Sequence, residues 1–375
     1  MVLQWAARSM ALAKREAVLS IALLLAVVSA CFVPPSAAYF GYIDWNTLAL
    51  LFSLMVVMKG YQRAGVFLCL ANGLLRRVRS TRALLGVLVF LPVGLSMVVT
   101  NDVALLTFVP FGLLLLRMAG QGRQVVPLVV MQTLAANLGS MLTPMGNPQN
   151  LYLYGKSGLG FGGLCLLMLP YVAVAGGCLA VALLLRRPSP VQAPAVPGTL
   201  AGPRPLTLCT LGFGLGLLGL CQVVNALVVC AILALFLLLT DRALLASVDY
   251  SLLGVFAAFF IFIGNLSGVE GFQSILSGAL TGHVELVAVL ASQVTSNVPA
   301  ALLLSGFTNQ WAPPIVGCNL GGLGTLIASM ASLISYKEIS RAYPDQRGRS
   351  FMVFTLCTVG MLALLLGLSA LLGGG

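Results

Sequence analysis

The segment Val98–Leu106, VVTNDVALL, places an Asn-Asp pair between two long apolar runs. Such residues are costly to bury in apolar surroundings, and inside a membrane they usually serve a function. The rest of the chain is apolar as well: of 375 residues, 59% are hydrophobic and 8% are charged, and the mean hydropathy is +1.04. Soluble domains carry about 25% charged residues. The composition therefore predicts a polytopic membrane protein.

Charge and residue usage argue against several other classes of protein. The net charge is +11, yet Lys and Arg lie at the ends of apolar runs, as the positive-inside bias predicts, so no nucleic-acid partner is expected. His283 is the single histidine, which argues against a His-based metal cluster or catalytic triad. The nine cysteines form no CxxC pair and are interpreted as small apolar residues. The sequence has no GxxxxGKS/T motif for ATP.

The two halves of the chain resemble each other at three places that occur in the same order. The matched stretches are IDWNTLALLF at Ile43–Phe52 with VDYSLLGVF at Val248–Phe256, TND at Thr100–Asp102 with TSN at Thr295–Asn297, and NLGSMLTPMGNPQNL at Asn137–Leu151 with NLGGLGTLIASMASL at Asn319–Leu333. Three matches in one order indicate an internal repeat. Eight basic residues flank TND between Lys59 and Arg123, but none occurs between Arg242 and Lys337. Equivalent loops are therefore expected on opposite sides of the membrane, as in the inverted repeats of secondary transporters.

Apolar runs long enough to span a membrane define the expected domains. They cover 17–36, 46–68, 124–153, 160–185, 206–222, 223–240, 250–268, 312–335 and 350–371. The first repeat is 1–185, a flexible Pro-rich cytoplasmic linker (186–206) and a connecting helix occupy 186–222, and the second repeat is 223–375. With a cytoplasmic N-terminus, this count places the C-terminus outside the plasma membrane of a bacterium. It requires 17–36 to stay a membrane helix, although Val28–Cys31 resembles a lipoprotein cleavage site.

Two regions are short for two crossings, which need about 40 apolar residues. The region 284–309 has 26 residues and is predicted to be a re-entrant hairpin; 83–116 has 34 and is interpreted as a hairpin by analogy, with two short spans as the alternative. The expected fold class is an all-α polytopic membrane protein, an inverted-topology repeat with two re-entrant hairpins and interrupted transmembrane helices. Each repeat comprises four transmembrane helices plus its hairpin.

Helix starts are expected after both hairpin tips and at two further interruptions, 137–150 and 317–329. Ser296 or Asn297 can cap a helix with Pro299 in its first turn, and Asn147 can cap a helix that starts at Pro148. The unpaired N–H groups at such starts favour an anion. Neighbouring carbonyl and side-chain oxygens suit a hard cation.

The motifs TND, NLGSMLTPMGNPQNL, TSNVPA and NLGGLGTLI resemble the ion transporter superfamily of arsenite permeases, NhaD-type sodium/proton antiporters, and citrate and dicarboxylate carriers. Within it, the chain is most similar to the YbiR-like inner-membrane transporters. The resemblance implies a homodimer, with substrate and coupling ion bound at the two tips. Dicarboxylate carriers have Ser-Asn-Thr at both tips. Asp102 and Val298 depart from that pattern, and the first tip looks more like the arsenite or NhaD type.

The candidate substrate- and ion-binding residues combine the tips with the interruptions. They are Thr100, Asn101, Asp102, Asn137, Thr143, Gly146, Asn147, Asn150, Thr295, Ser296, Asn297, Asn319, Gly322 and Thr325. A sodium ion would be held by Asn101, Asp102 and Asn297. Asp102 is predicted to carry the proton or sodium charge, because burial favours its protonated form and a cation its charged form; the alternative is a carboxylate placed there by the helix dipole alone.

Other polar residues receive structural roles. The expected roles are helix capping for Asp44 and Asp249, a solvated outer rim for Glu270 and Glu285, and hydrogen bonds across helices for Gln132 and Gln293.

The sequence thus predicts a secondary active transporter that moves a small inorganic or organic anion by alternating access, coupled to H⁺ or Na⁺ and without another cofactor. The alternatives are an arsenite or antimonite efflux permease, for which Cys318 is a candidate ligand, or a Na⁺/H⁺ antiporter. An intramembrane aspartyl protease would need two facing carboxylates, whereas the repeat offers Asp102 opposite Asn297. A non-transporting scaffold would not need two polar tips.

Overall fold

The computed structural model describes residues 17–76, 78–191, 199–268 and 282–373. These ranges are helical, and no β-strand occurs in them. The helices before residue 186 are α1 Ala17–Ala30, α2 Ala38–Tyr42, α3 Trp45–Arg63, α4 Val66–Leu75, α5 Thr81–Ser96, α6 Asn101–Met118, α7 Val125–Ser140, α8 Pro148–Ser157 and α9 Phe161–Leu184. Those after it are α10 Pro203–Leu220, α11 Ala226–Thr240, α12 Arg242–Ala246, α13 Tyr250–Leu266, α14 Val284–Thr295, α15 Asn297–Ser305, α16 Ala312–Leu320, α17 Met330–Ala342 and α18 Arg347–Leu371.

Local sequence explains where several helices begin and end. The Asp44 carboxylate accepts a hydrogen bond from the N–H of Thr47 (3.0 Å), and that of Asp249 accepts one from Leu252 (3.2 Å), which confirms both predicted caps. The single helix predicted over 46–68 is wrong. The chain bends by 53° between α3 and α4, where Gly65 takes a left-handed conformation (φ 76°) that favours glycine.

Three helical segments of the described ranges are long and apolar enough to cross a membrane: α6, α9 and Pro344–Leu371, which contains α18. The bent pair α3 and α4 would be a fourth span. Five shorter apolar helices coincide with α1, α5, α11, α13 and α14. The composition and these helices agree with a multi-pass membrane protein, and the count of nine spans stays a prediction.

The chain divides into two compact units, and both halves of the sequence contribute to each. The described residues of Met1–Val56, Gly214–Thr281 and Leu302–Asn309 form the first unit. In it α13 packs against α1, and the Asn265 amide of α13 donates to the Ser29 and Tyr39 hydroxyls (3.0 and 2.9 Å). A polar side chain therefore joins two apolar helices, as is common in membrane proteins.

The second unit contains the described residues of Val57–Phe213, Gly282–Ala301 and Gln310–Gly375. Helix α7 lies at its centre and packs against α5, α6, α9, α17 and α18, while α14 packs against α16. All residues of α7 except Pro127 are buried. A helix buried on all sides is expected to be mostly apolar, and the polar side chains of α7, those of Gln132, Thr133, Asn137 and Ser140, are buried with it.

The described ends of the Pro-rich linker make backbone hydrogen bonds to the helical part of the chain, and the flexibility of the linker stays a prediction. The Thr81 N–H donates to the Ser189 carbonyl (2.9 Å), and the Val191 N–H donates to the Arg79 carbonyl (3.2 Å). At the other end, the Ala201 N–H donates to the Ala64 carbonyl (2.9 Å). Residues 192–198 lie outside the described ranges.

Candidate substrate-binding site

Both predicted tips coincide with helix starts. Helix α6 begins at Asn101 after the extended residue Thr100, whose side chain makes no cap bond. The Asn101 side-chain oxygen instead accepts from the N–H of Asp102 (2.9 Å). Asp102 is half-buried in the first turn of α6. The start of α6 therefore carries a carboxylate close to the positive end of its dipole.

The second tip has a strained backbone. Ser296 has φ 80° and ψ 156°, a region that residues other than glycine rarely adopt. Helix α15 begins at the next residue, and the Asn297 N–H and the Ser296 hydroxyl both donate to the Ala328 carbonyl (3.0 and 3.3 Å). Pro299 lies in the first turn of α15, as predicted. The tip is thus tied to the segment that precedes α17.

One buried polar network joins the first tip to the second half of the chain. The Asn101 amide donates to the Asn137 side-chain oxygen (2.9 Å), which also accepts from the Ser329 hydroxyl (3.1 Å). The Asn137 amide donates to the Ser332 hydroxyl (3.0 Å). These four side chains are at most 4% exposed. The Asn137 side-chain oxygen therefore accepts two hydrogen bonds, and its amide donates one.

A second network surrounds the interruption between α7 and α8. The Asn150 amide lies 3.2–3.3 Å from the carbonyls of Ser140, Met141 and Thr143, and its oxygen accepts from the Asn319 amide (2.6 Å). Because the Ser140 and Met141 carbonyls lie at the end of α7, Asn150 supplies donors that the broken helix lacks. Residues from both halves meet here as well.

The cap predicted for Asn147 is wrong. Helix α8 does begin at Pro148, but the Asn147 side chain makes no cap bond; its amide donates to the Ser140 hydroxyl (2.7 Å) instead. Among the described residues, its buried oxygen has no hydrogen-bond partner, and neither has the side-chain oxygen of Asn319. Such buried acceptors are rare in proteins and can receive a ligand, an ion or a water.

Two candidate glycines allow close packing at the site. A β-carbon at Gly146 would lie 2.2 Å from the Ser140 carbonyl oxygen, and one at Gly322 would lie 3.0 Å from the Asn297 amide nitrogen. The backbone contact leaves no room for a larger residue at Gly146, whereas a β-carbon at Gly322 would need a small shift of the Asn297 side chain.

The candidate threonines are less uniform. Thr143 is buried and donates to the Met97 carbonyl, which ties the end of α5 to the interruption between α7 and α8. Thr295 and Thr325 are exposed. Thr295 donates to Ala291, and Thr325 to the Gln293 carbonyl. The structure does not bring these two side chains into the buried networks.

Two predicted helix-crossing glutamines are confirmed. The Gln132 amide donates to the carbonyls of Leu88 and Phe108 (both 3.0 Å), and Pro92 deprives the first of these of its helical donor. The Gln293 amide donates to the carbonyls of Gly321 and Leu323 (2.8 and 2.9 Å).

Acidic and metal-binding groups follow the predictions only in part. Glu285, predicted on a solvated rim, is 6% exposed in the first turn of α14 and lies against α16; Glu270 lies outside the described residues. In the described ranges, no group of three His, Cys, Asp or Glu side chains could hold a metal ion. The sodium ligands named from sequence are untested.

Comparison with known proteins identifies the family. Residues 5–315 match the profile of the citrate transporter family, CitMHS. This chain belongs to that family. It is 33% identical to the inner membrane protein YbiR of Escherichia coli over 332 residues, 84% of this chain and 86% of the relative. It is also similar to the uncharacterized transporter MJ0456 of Methanocaldococcus jannaschii (32% over 301 residues, 80% and 82% of the chains). A shorter match is the silicon efflux transporter LSI3 of Oryza sativa (35% over 151 residues, 40% and 30%).

The family confirms a multi-pass membrane permease rather than an enzyme. Sequence analysis of this CitMHS member nevertheless missed three residues of its polar networks: Ser140, Ser329 and Ser332. A signal was available for two of them, since the internal repeat aligns Ser329 with Asn147 and Ser332 with Asn150.

Proposed function

We propose that this permease moves a small anion across the plasma membrane by alternating access, driven by H⁺ or Na⁺. The observation that carries the proposal is a reciprocal pair of hydrogen bonds between the halves. Asn137 donates to Ser332 (3.0 Å), and Asn319, its equivalent in the repeat, donates to Asn150 (2.6 Å), the equivalent of Ser332. Each half of the repeat thus contributes an equivalent pair of buried polar side chains. Such an arrangement suits a solute that must be accessible in turn from each side of the membrane.

The positions of helix starts support an inverted repeat with two re-entrant hairpins. Trp45 and Tyr250 both begin helices and are 205 residues apart; Asn101 and Asn297 are 196 apart, and Pro148 and Met330 are 182 apart. The first and third matched sequence stretches have the same offsets, and the offset of TND to TSN, 195, differs from that of the helix starts by one residue. These offsets support the proposed repeats 1–185 and 223–375, separated by the linker and connecting helix 186–222. The distribution of Lys and Arg is the basis for proposing a cytoplasmic N-terminus and an outer C-terminus, and the family resemblance is the basis for proposing a homodimer.

An anion would be held by helix starts, without Lys or Arg. The two polar networks include or lie next to four helix starts, those of α6, α8, α15 and α17. Each start offers unpaired N–H groups and about half a positive charge. Converging half-helices are a known transporter solution for carboxylates.

The coupling charge is assigned to Asp102, with H⁺ and Na⁺ as the two options. The unpartnered oxygens of Asn147 and Asn319 add two neutral acceptors to the proposed ligands Asn101 and Asn297. Oxygen ligands of this kind suit a small hard cation. Of the two tips, only the first has a carboxylate, Asp102. The two tips would therefore bind different species.

A second candidate substrate is an uncharged hydroxide such as arsenous or silicic acid. The described side chains of both networks are amides and hydroxyls, which can hydrogen-bond such a solute without a counter-charge. The name of the rice relative, a silicon efflux transporter, points in the same direction. Exchange with a proton at Asp102 would then drive efflux.

Transport by proteoliposomes tests these proposals. Labelled citrate, succinate, phosphate and arsenite are offered separately, with a pH gradient, a Na⁺ gradient or neither, and 22-Na⁺ exchange is measured in parallel. We expect one substrate class to accumulate with one gradient. Thermal stabilisation by the same solutes would report binding without transport.

The Asp102→Asn variant separates coupling from binding. It should abolish gradient-driven accumulation while retaining solute-dependent thermal stabilisation. Asp249→Asn, which alters an exposed helix cap, is the matched control and should transport normally. Undiminished accumulation by Asp102→Asn would eliminate the assigned role of this carboxylate.

A further inference from the structure

A surface groove runs along α5 on the first hairpin. It has a volume of about 470 Å³ and is lined by apolar residues and glycines, among them Leu74, Gly86, Phe90 and Gly94. Gly86, Phe90 and Gly94 follow one another at intervals of four residues, so they share one face of the helix. Leu74 and Phe90 are 49% and 39% exposed. The groove is therefore an open apolar trough beside α4.

Arginines lie at one end of this groove. Arg82 precedes Gly86 by one helical turn, and Arg76 and Arg79 are exposed in the connection from α4 to α5. The Arg82 guanidinium donates twice to the Arg186 carbonyl (3.0 and 2.7 Å), so the end of α9 is fixed at the same place.

This arginine cluster has little negative charge nearby in the sequence. Between Trp45 and Thr240 there is one carboxylate, Asp102, which lies at the opposite end of α5 from Arg82. Arg186 donates to the Gln124 amide oxygen (2.6 Å), and its Nε is buried without a partner. Like charges held together on neutral partners attract anions.

The surroundings place the cluster at the depth of lipid headgroups. Leu184 and Leu185, directly before Arg186, are 62% and 79% exposed, as expected for side chains that face acyl chains. From Gly86 to Leu95 the groove spans nine residue steps of α5, about 14 Å. This is close to one leaflet of a hydrocarbon core about 30 Å thick.

We propose that this groove and its arginines bind an anionic phospholipid. One acyl chain lies in the groove along α5, and the phosphate lies among Arg76, Arg79 and Arg82. The apolar trough explains why a lipid is preferred to a free phosphate. The uncompensated arginines explain why an anionic lipid is preferred to a zwitterionic one.

The test counts lipids on the full chain, purified and delipidated in neutral detergent. Dioleoyl phosphatidylglycerol and dioleoyl phosphatidylcholine are titrated separately, and bound lipid is measured by native mass spectrometry. Inorganic phosphate and glycerol phosphate are added as competitors that lack an acyl chain. We expect selective retention of phosphatidylglycerol that neither competitor displaces.

Two independent variants divide the site into its parts. Arg76→Gln with Arg79→Gln changes exposed side chains only and should weaken phosphatidylglycerol binding about tenfold or more. Gly86→Leu with Gly94→Leu fills the trough and should have a similar effect, because a β-carbon at either glycine meets no atom within 4 Å. Gly360→Leu is the control, an equally open helical glycine on α18, and should bind as the wild type.

Several results would overturn the proposal. Equal retention of the two lipids by the wild type would remove the role of the arginines, and displacement by phosphate would identify a simple anion site. Unchanged binding in the arginine variant would be decisive even if the glycine variant failed to fold. A changed oligomeric state with normal lipid binding in the glycine variant would assign the groove to a second copy of the chain.

Discussion

Replacing Asn137 by Ala should destabilise the protein clearly more than replacing Asn319 by Ala, although the two residues are equivalent in the repeat. Asn137 bonds to three side chains, those of Asn101, Ser329 and Ser332. Asn319 bonds to one, that of Asn150, and to the Ile315 carbonyl of its own helix. Its oxygen already lacks a partner.

The magnitude follows from the number of bonds lost. Hydrogen bonds between membrane helices contribute about 0.6 kcal/mol on average, so three bonds at Asn137 amount to about 2 kcal/mol and the single bond at Asn319 to less than about 1 kcal/mol. The volume removed is the same in both variants, and its contribution largely cancels in the comparison.

The assay is reversible unfolding in mixed micelles at increasing SDS, with Ser332→Ala and the double variant Asn137→Ala/Ser332→Ala completing a thermodynamic cycle. We expect a coupling energy of about 0.5 kcal/mol or more between Asn137 and Ser332. A larger loss of stability for Asn319→Ala than for Asn137→Ala would refute the reasoning. Transport should be impaired more by Asn319→Ala than by Asn137→Ala, because Asn319→Ala removes an acceptor proposed for the ligand.

Three further substitutions test the packing of the site. Gly146→Ala should abolish transport and lower the melting temperature, since its β-carbon would lie 2.2 Å from a backbone oxygen, whereas Gly155→Ala, in open space on α8, should leave both unchanged. Gly317→Ala should destabilise the α14–α16 pair, because its β-carbon would lie 2.4 Å from the Glu285 carbonyl oxygen; a normal melting temperature would contradict this packing. Gln132→Leu should cost about 1–2 kcal/mol in unfolding free energy through two lost bonds to helix carbonyls, and a loss below about 0.3 kcal/mol would show that these bonds do not matter.

Helix starts at the tips were predictable because polar residues interrupt apolar runs there. The pattern located Pro148 correctly as a first helical residue and predicted helix starts after both tips, but Asn101 and Asn297, assigned to the tips themselves, are already the first helical residues. It could not predict the direction of the Asn147 side chain, since a local rule names capping as an option while the Ser140 hydroxyl, brought near by the broken helix, takes the amide instead. Long-range partners of this kind depend on packing that one sequence does not reveal.

Serines and one glutamate show a second limit of sequence reasoning. A serine in an apolar helix can bond to its own backbone, so the residue type of Ser329 and Ser332 does not indicate their contacts with Asn137; only their alignment with Asn147 and Asn150 in the repeat does. Glu285 was placed on a rim because the surrounding region lacks basic residues. In the structure its helix packs closely on α16, where Gly317 allows the approach, and the side chain is buried.

The reciprocal bonds across the repeat also bear on how such a chain can diverge. In a two-fold symmetric ancestor, the asparagine of each half would have reached the same residue of the other, as in an isologous dimer interface. Here the bond from Asn137 ends on Ser332, and the bond from Asn319 ends on Asn150. A substitution in one half of the chain therefore no longer has to be matched by the same substitution in the other half. Fusion of the halves into one chain therefore lets two equivalent positions acquire different partners: the Asn137 oxygen accepts two hydrogen bonds, whereas the Asn319 oxygen has no partner among the described residues.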